Sequence, residues 1–194
     1  MTHIEISLSN LIEEYGERSV KAMLSDFFCK ENEEIEDFIR NKAISYEKKG
    51  LSKTVLIMNK RKSILGYYSI TTKSFVLDFH LNSSRKKKYF GSSQTHGDII
   101  PSILIGQLGK NDKASESFKG DTLMGCVFRY IADMSVLTPS VVCYVEHDGS
   151  RKLIDYYQRQ GFEYIKREKD EIEKNLYCHI IRTASVIENM DSSR

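Results

Sequence analysis

The chain has almost no surplus charge: 29 basic residues against 27 acidic ones leave a formal net charge of +2 over 194 residues. The total selects no class of partner, so any charged partner must be met by local clusters. Cysteine is scarce and scattered, at Cys29, Cys126, Cys143 and Cys178, with no Cys-x-x-Cys pair. That spacing argues against a zinc site and against a redox dithiol. Cys126 and Cys143 fall within apolar patterns and read as small buried residues. The five histidines, His3, His80, His96, His147 and His179, show no ligand spacing either, so no metal is expected. No apolar run approaches the roughly 18 residues that span a bilayer. The start, Met1-Thr2-His3-Ile4-Glu5, lacks the basic and apolar regions of a signal peptide. A cytoplasmic protein without membrane association is the expectation. Hydrophobic and charged fractions of 40% and 29% exclude a disordered or fibrous chain. The length suits one domain over residues 1–194, with a proper core.

What is present reads as a mixed α/β chain with a central sheet. Ile4–Leu8 predicts a short strand, with Ser9 placed to cap the helix after it. Leu11, Ile12 and Tyr15, then Val20, Met23, Leu24, Phe27 and Phe28, recur at helical spacing. A helix is predicted from about Glu33 to Lys49, with Ile35, Phe38, Ile39, Ala43 and Tyr46 as its apolar stripe and Gly50 as its stop. A hairpin comes next, Thr54–Met58 and Ile64–Thr71 around the polar turn at 59–63, and Phe75–Phe79 extends it or forms its own strand. Residues 80–98, with the basic run Arg85-Lys86-Lys87-Lys88, read as a flexible loop. A helix runs from Gly120 to about Val136, its inward side carrying Leu123, Met124, Val127, Phe128 and Ile131; Pro139 blocks its continuation. Val141–Val145 is a nearly continuous apolar strand, as for one covered on both faces. A helix at 150–160 and strands at 162–167 and 175–183 complete the pattern. Residues 184–194 read as a disordered tail.

Two stretches carry chemistry. In the first, the strand Ile103–Lys110 leads through the polar loop Asn111–Lys119 to a helix starting at Gly120. Backbone N–H groups at a helix start, with the macrodipole behind them, favour an anion such as a pyrophosphate. An exposed strand edge can pair with the amides of an extended ligand. In the second, Val142-Cys143-Tyr144-Val145-Glu146 leads through a short turn to Leu153-x-x-Tyr156-Tyr157-x-x-x-Gly161-Phe162. Tyr156 and Tyr157 are neighbours on a helix and point in different directions, so one of them is core.

Together these stretches resemble the coenzyme A half of the GNAT N-acetyltransferase superfamily. The resemblance implies a central, mostly antiparallel twisted sheet, a parallel strand pair splayed to hold acetyl-CoA, and helices on both faces. The superfamily's loop pattern, Gln/Arg-x-x-Gly-x-Gly/Ala, falls on Ser115-Glu116-Ser117-Phe118-Lys119-Gly120, where only Gly120 matches. Phe118 stands where a glycine lets backbone approach phosphate, and Ser115 where Arg or Gln is usual. The implied carrier-binding set is Leu108, Gly109, Lys110, Lys113, Ser115, Ser117, Phe118, Lys119, Gly120 and Asp121, with Ser150 and Leu153 at the second helix. Backbone N–H groups at Leu108–Lys110 would polarise the thioester carbonyl. Tyr157 takes the superfamily's tyrosine position near the sulfur and would act as general acid. Glu146, ending its strand, is the carboxylate placed to take the amine's proton, a role that a water relay fills in many relatives.

The N-terminal half resembles one bacterial subgroup, through Cys29-Lys30-Glu31-Asn32-Glu33-Glu34-Ile35 leading into a helix and Gly66-Tyr67-Tyr68-Ser69-Ile70. That subgroup contains the toxins of toxin–antitoxin systems, which acetylate aminoacyl-tRNA, and stand-alone relatives. The first expectation is therefore an acetyl-CoA-dependent N-acetyltransferase acting on a primary amine by direct attack. The alternatives are toxin-like acetylation of aminoacyl-tRNA, or a degenerate binding module, for which Phe118 and Ser115 argue. A tRNA would need phosphate-neutralising surface, for which Lys60-Arg61-Lys62, Arg85–Lys88 and Arg151-Lys152 are candidates. The acidic run Glu31–Glu36 would instead favour a cationic amine. A homodimer is compatible with the sequence, and an antitoxin partner is not readable from it.

Overall fold

Capping and alternation decide where the first elements start. The computed structural model describes residues 3–76, 83–91, 97–114, 118–165 and 176–191. Strand β1 (Ile4–Ser7) runs directly into helix α1 (Leu8–Tyr15) because Ser7 caps it, its hydroxyl accepting the Asn10 N–H at 3.2 Å. Ser9, expected as the cap, lies inside the helix and pairs with the Ser7 hydroxyl instead. Gly16, at φ +77°, turns the chain into α2 (Glu17–Ser25). The helix expected over 33–49 forms as α3 (Glu33–Asp37), a π turn (Phe38–Lys42) and α4 (Ala43–Lys48). Asn32 caps it by accepting the Glu34 and Ile35 N–H groups, and the Glu33, Glu34 and Glu36 carboxylates complement the macrodipole of its first turn. The acidic run thus has a local structural role.

Strands β2 (Lys53–Met58), β3 (Ile64–Val76), β4 (Ile99–Lys110), β5 (Val142–His147), β6 (Glu163–Ile165) and β7 (Tyr177–Arg182) join β1 in a sheet of order β1-β2-β3-β4-β5-β7-β6. β1–β2, β2–β3, β5–β7 and β6–β7 pair antiparallel, and β4–β5 pair parallel. Phe75 lies within β3; residues 77–79 of the strand expected there are outside the described residues, as are 166–175. The β4–β5 register covers Ser102–Leu104 against Val142–Tyr144, and each strand continues beyond its last registered residue.

Two expectations are overturned. Within the stretch read as a loop at 80–98, Ser83–Phe90 is a helix, α5. Its basic run masked the anchor: Tyr89 and Phe90 are buried, while Lys88 pairs with Glu163 and the Arg85 guanidinium donates to the Tyr164 carbonyl at 2.9 Å. The stretch read as a disordered tail carries α8 (Thr183–Asp191), held by buried Val186 and by the Thr183 N–H donating to the Val141 carbonyl at 3.1 Å. Helices α6 (Gly120–Ser135) and α7 (Arg151–Arg159) match their expected positions.

The chain divides into two compact units, Met1–Thr71 with Gly106–Val127, and Thr72–Ile105 with Phe128–Arg194. The first is built on Leu8, Leu24, Phe27, Ile39, Leu56 and Tyr67, all at 1% exposure or less. Each such side chain contributes roughly 1.5–3 kcal/mol of burial. The second is built on Phe75, Phe90, Val142, Tyr144 and Ile180. Cys126, Cys143 and Cys178 are buried and all four cysteines are free thiols.

Candidate functional site

In the first unit, the carrier-binding candidates flank Asn111 along the chain, just after β4. This side chain is buried and bonded on both ends. Its Nδ2 donates to the Ile64 carbonyl at 2.8 Å, and its Oδ1 accepts the Phe28 and Lys113 N–H groups, both at 3.1 Å. Its own N–H donates to the Leu65 carbonyl at 2.9 Å. The start of the loop is therefore tied to β3 and to the segment after α2. In sequence Asn111 was only the first polar residue of a loop; the preceding apolar strand was the signal that a buried polar group must be satisfied there.

Gly109 has a packing reason to lack a side chain. A Cβ there would lie 2.4 Å from Ile35 Cγ2 and 2.9 Å from Tyr67 Cε1. The Tyr67 ring is fully buried and its hydroxyl donates to the Ile35 carbonyl at 2.6 Å, so it has no room to retreat. Leu108 is half-buried beside it, and Lys110 is exposed, 3.7 Å from the Asp112 carboxylate. Lys113 sets its ammonium 5.7 Å from the Phe28 ring centre. Ser115 and Ser117 lie outside the described residues. Phe118 turns inward: it is 6% exposed, its ring meets His3 edge-on at 6.1 Å, and its Cε1 would touch a Cβ on Gly66 at 3.2 Å. The aromatic in the glycine position is thus a member of the core of its unit. Lys119 is exposed and its carbonyl accepts the Leu123 N–H at 3.1 Å, so the helical turn begins at Lys119–Gly120. Asp121, in the first turn of α6, already places a carboxylate at the positive end of the dipole.

In the second unit, α7 carries the tyrosine pair. Ser150 precedes it and is exposed; the Leu153 and Ile154 N–H groups donate to its carbonyl at 3.0 Å, and Leu153 is half-buried. Gly161, at φ +89°, reverses the chain so that the Phe162 N–H closes onto the Tyr157 carbonyl at 3.0 Å. Of the pair, Tyr157 is the buried ring, at 7% exposure, while Tyr156 is half-buried. Tyr157 stacks on His147 at 5.2 Å and meets Phe162 edge-on at 5.7 Å. Burial pushes its phenol up to about 12, so it stays protonated at neutral pH.

His147 and His179 form a buried pair that sequence reading left as scattered histidines. The Gly149 N–H donates to His147 Nδ1 at 3.1 Å, which leaves that nitrogen without a proton. His147 is therefore neutral, with its proton on Nε2, and Nε2 donates to His179 Nδ1 at 3.0 Å. His179 then carries its own proton on Nε2, a buried atom with no hydrogen-bond partner among the described residues. Only the β5–β7 register, which sets Val145 opposite His179 and His147 opposite Tyr177, brings the two rings together. The same strand alternation turns Glu146 to the opposite face from His147, so Glu146 is not brought together with Tyr157.

Burial lowers the proton affinity of both rings, that of His179 to about 4, with the charge of a protonated His147 as its second cause. The folded state thus takes up protons less readily than the unfolded chain, whose histidines titrate near 6.5. This contribution to stability is complete above pH 6.5 and lost as pH falls toward 4. By pH 5 the loss at His179 should reach roughly 1–2 kcal/mol. Urea unfolding at pH 7.5 and pH 5 is expected to show this drop, and His179→Gln to reduce it; an equal drop in the variant would rule the pair out as its source.

No family model matches the chain, and no curated protein matches it in sequence. Solved structures do match in fold. A bacterial toxin superposes over 98% of this chain and 96% of its own, with a TM-score of 0.74 at 15% identity. The AtaT toxin complexed with acetyl-methionyl-tRNAfMet superposes over 97% of this chain and 99% of its own, with a TM-score of 0.71 at 16% identity. A tyrosine-to-phenylalanine mutant of AtaT, bound to acetyl-CoA and to the C-terminus of the antitoxin AtaR, superposes over 86% and 89%, with a TM-score of 0.64 at 16% identity. The parallel β4–β5 pair, the mixed sheet around it and this likeness together give the chain the GNAT fold that its sequence resemblance implied, shared with the AtaT toxin.

Proposed function

We propose that the chain is an acetyl-CoA-dependent N-acetyltransferase whose acceptor is the primary amine of an aminoacyl-tRNA. The observation that carries this is the interrupted parallel pair: the β4–β5 register stops at Leu104 and Tyr144, while β4 continues to Lys110 and β5 to His147. Strand edges released in this way offer backbone groups to the amides of an extended carrier. The N–H groups of Leu108–Lys110 would polarise the thioester carbonyl, and the turn from Lys113 through Ser115, Ser117 and Phe118 to Gly120 would take the pyrophosphate. With Asp121 in the first turn, backbone N–H groups rather than surplus charge would hold that anion. Phe118, with its ring turned into the core, does not favour the degenerate-module alternative.

In the reaction the neutral amine attacks the carbonyl carbon, the tetrahedral intermediate collapses, and the C–S bond breaks. The amine's surplus proton leaves to water, directly or by way of Glu146 near the end of β5. The Tyr157 phenol, at about 12, is a weaker acid than an ordinary thiol at about 8.5. It therefore serves the departing sulfur as a hydrogen-bond donor during bond breaking rather than by complete transfer beforehand.

The tRNA acceptor is supported by the likeness to AtaT in complex with acetyl-methionyl-tRNAfMet and by the basic clusters. Lys60 and Arg61 are exposed on the β2–β3 turn, and Lys87 on α5. Arg85 and Lys88 are engaged with Glu163. The test is transfer of radiolabelled acetyl from acetyl-CoA to charged tRNA, with deacylated tRNA and free amino acids or polyamines as comparisons. Label on charged tRNA alone is the expected result. Comparable labelling of small amines would return the assignment to a small-amine acetyltransferase, and calorimetric binding of acetyl-CoA without transfer would return it to a binding module.

A further inference from the structure

Three donor atoms of different chemistry meet at the first strand of the sheet. His3 immediately precedes β1 and Glu5 lies within it, two residues apart and so on one face of an extended chain. Cys126 comes from α6 and is fully buried. His3 Nε2 stands 3.4 Å from Cys126 Sγ and 3.9 Å from Glu5 Oε1, and one ligand atom from each residue lies within 4.8 Å of the other two. Both the thiol and the carboxylate address the same ring nitrogen. A proton relay would use the two imidazole nitrogens separately, one for each neighbour. Here three lone-pair donors lie within 4.8 Å of one another, a grouping that suits a cation.

We propose that His3, Glu5 and Cys126 form a metal site for zinc. A thiolate, an imidazole and a carboxylate make a borderline-soft set, which selects zinc over magnesium or calcium. Tetrahedral ligands at about 2.0–2.3 Å from the metal stand roughly 3.3–3.8 Å apart, close to the two separations on His3 Nε2. The surroundings hold the ligands in place. The Tyr68 hydroxyl reaches the other Glu5 oxygen at 3.5 Å, the Phe118 ring braces His3, and the His3 and Glu5 side chains are only 20% and 27% exposed. Three protein ligands leave a fourth position for water. Spacing along the chain pointed to no metal because the ligands come from a strand and a helix more than a hundred residues apart. Bound zinc would staple β1 to α6, the helix whose first turn begins at Gly120, and the inference stands whether or not the chain transfers acetyl groups.

The test is titration of the EDTA-treated, reduced protein with cobalt(II) chloride. The expected result is one saturating equivalent with a thiolate-to-cobalt charge-transfer band and the visible absorption of tetrahedral cobalt, both erased by zinc chloride. Cys126→Ser should remove the charge-transfer band, and His3→Gln, a change outside the core, should weaken cobalt binding at least about tenfold, or 1.4 kcal/mol. Absence of a saturable cobalt spectrum in the unaltered protein would overturn the proposal. So would His3→Gln binding cobalt as tightly as the parent.

Discussion

Replacing Tyr157 by phenylalanine should lower kcat for acetyl transfer by about 10²–10³-fold and change the acetyl-CoA dissociation constant less than about threefold. The ring is held from two sides, stacked on His147 and edge-on to Phe162. Phenylalanine refills that space atom for atom, so the variant should fold with nearly unchanged stability. Only the hydroxyl is lost, and with it the donor that meets negative charge developing on sulfur. A donor needed only as the bond breaks acts on the chemical step and not on carrier binding. Single-turnover acetylation and calorimetry measured on the same preparation separate the two quantities. Parallel loss of rate and affinity would show that the phenol positions the carrier instead, and an unchanged rate would remove Tyr157 from the chemistry.

Asn111→Ala is expected to be the most destabilising single change at the candidate site. It deletes three side-chain hydrogen bonds, one donated to the Ile64 carbonyl and two accepted from the Phe28 and Lys113 N–H groups. At about 1 kcal/mol each, plus the cost of leaving buried backbone groups unpaired, the loss is roughly 3 kcal/mol. For a chain of this length that lowers the melting temperature by about 6–12 °C. Because the same contacts hold the start of the 111–119 turn, acetyl-CoA binding should weaken even at temperatures where the variant remains folded. Thermal unfolding with and without acetyl-CoA reads both effects. A fall below about 1 kcal/mol would mean that the turn is held by other contacts.

The parts of the fold that were legible in sequence are those where one local rule decided the outcome. Gly161 before Phe162 ended α7 because the chain needs a positive φ there, and the apolar repeat of Leu123, Met124, Val127 and Ile131 marked the buried side of α6. The strand pairs on either side of the 59–63 turn followed from alternation and turn chemistry, and the turn closes on Asn59, whose Oδ1 accepts the Arg61 and Ser63 N–H groups. What stayed hidden depended on partners distant in sequence. Helix α5 takes its anchors from Glu163 and Tyr164, so its own four basic residues suggested a loop. The histidine pair exists only in the β5–β7 register, and the satisfied Asn111 only once β3 lies beside it. Tyr157 was legible as a position but not in its environment. Adjacent tyrosines on a helix have to be divided between core and surface, and the neighbours that decide, His147 and Phe162, belong to two other segments.

The division into units has a consequence for how the chain is made. Its boundaries cut through β3 at Thr71/Thr72, through β4 at Ile105/Gly106 and through α6 at Val127/Phe128. Neither unit is a continuous stretch that a ribosome could finish and release to fold alone. At ~5–20 residues per second, the first 71 residues wait several seconds before Gly106–Val127 emerge to complete the unit. During that interval the side of β3 that Phe118 and Leu123 later meet at Gly66 is uncovered.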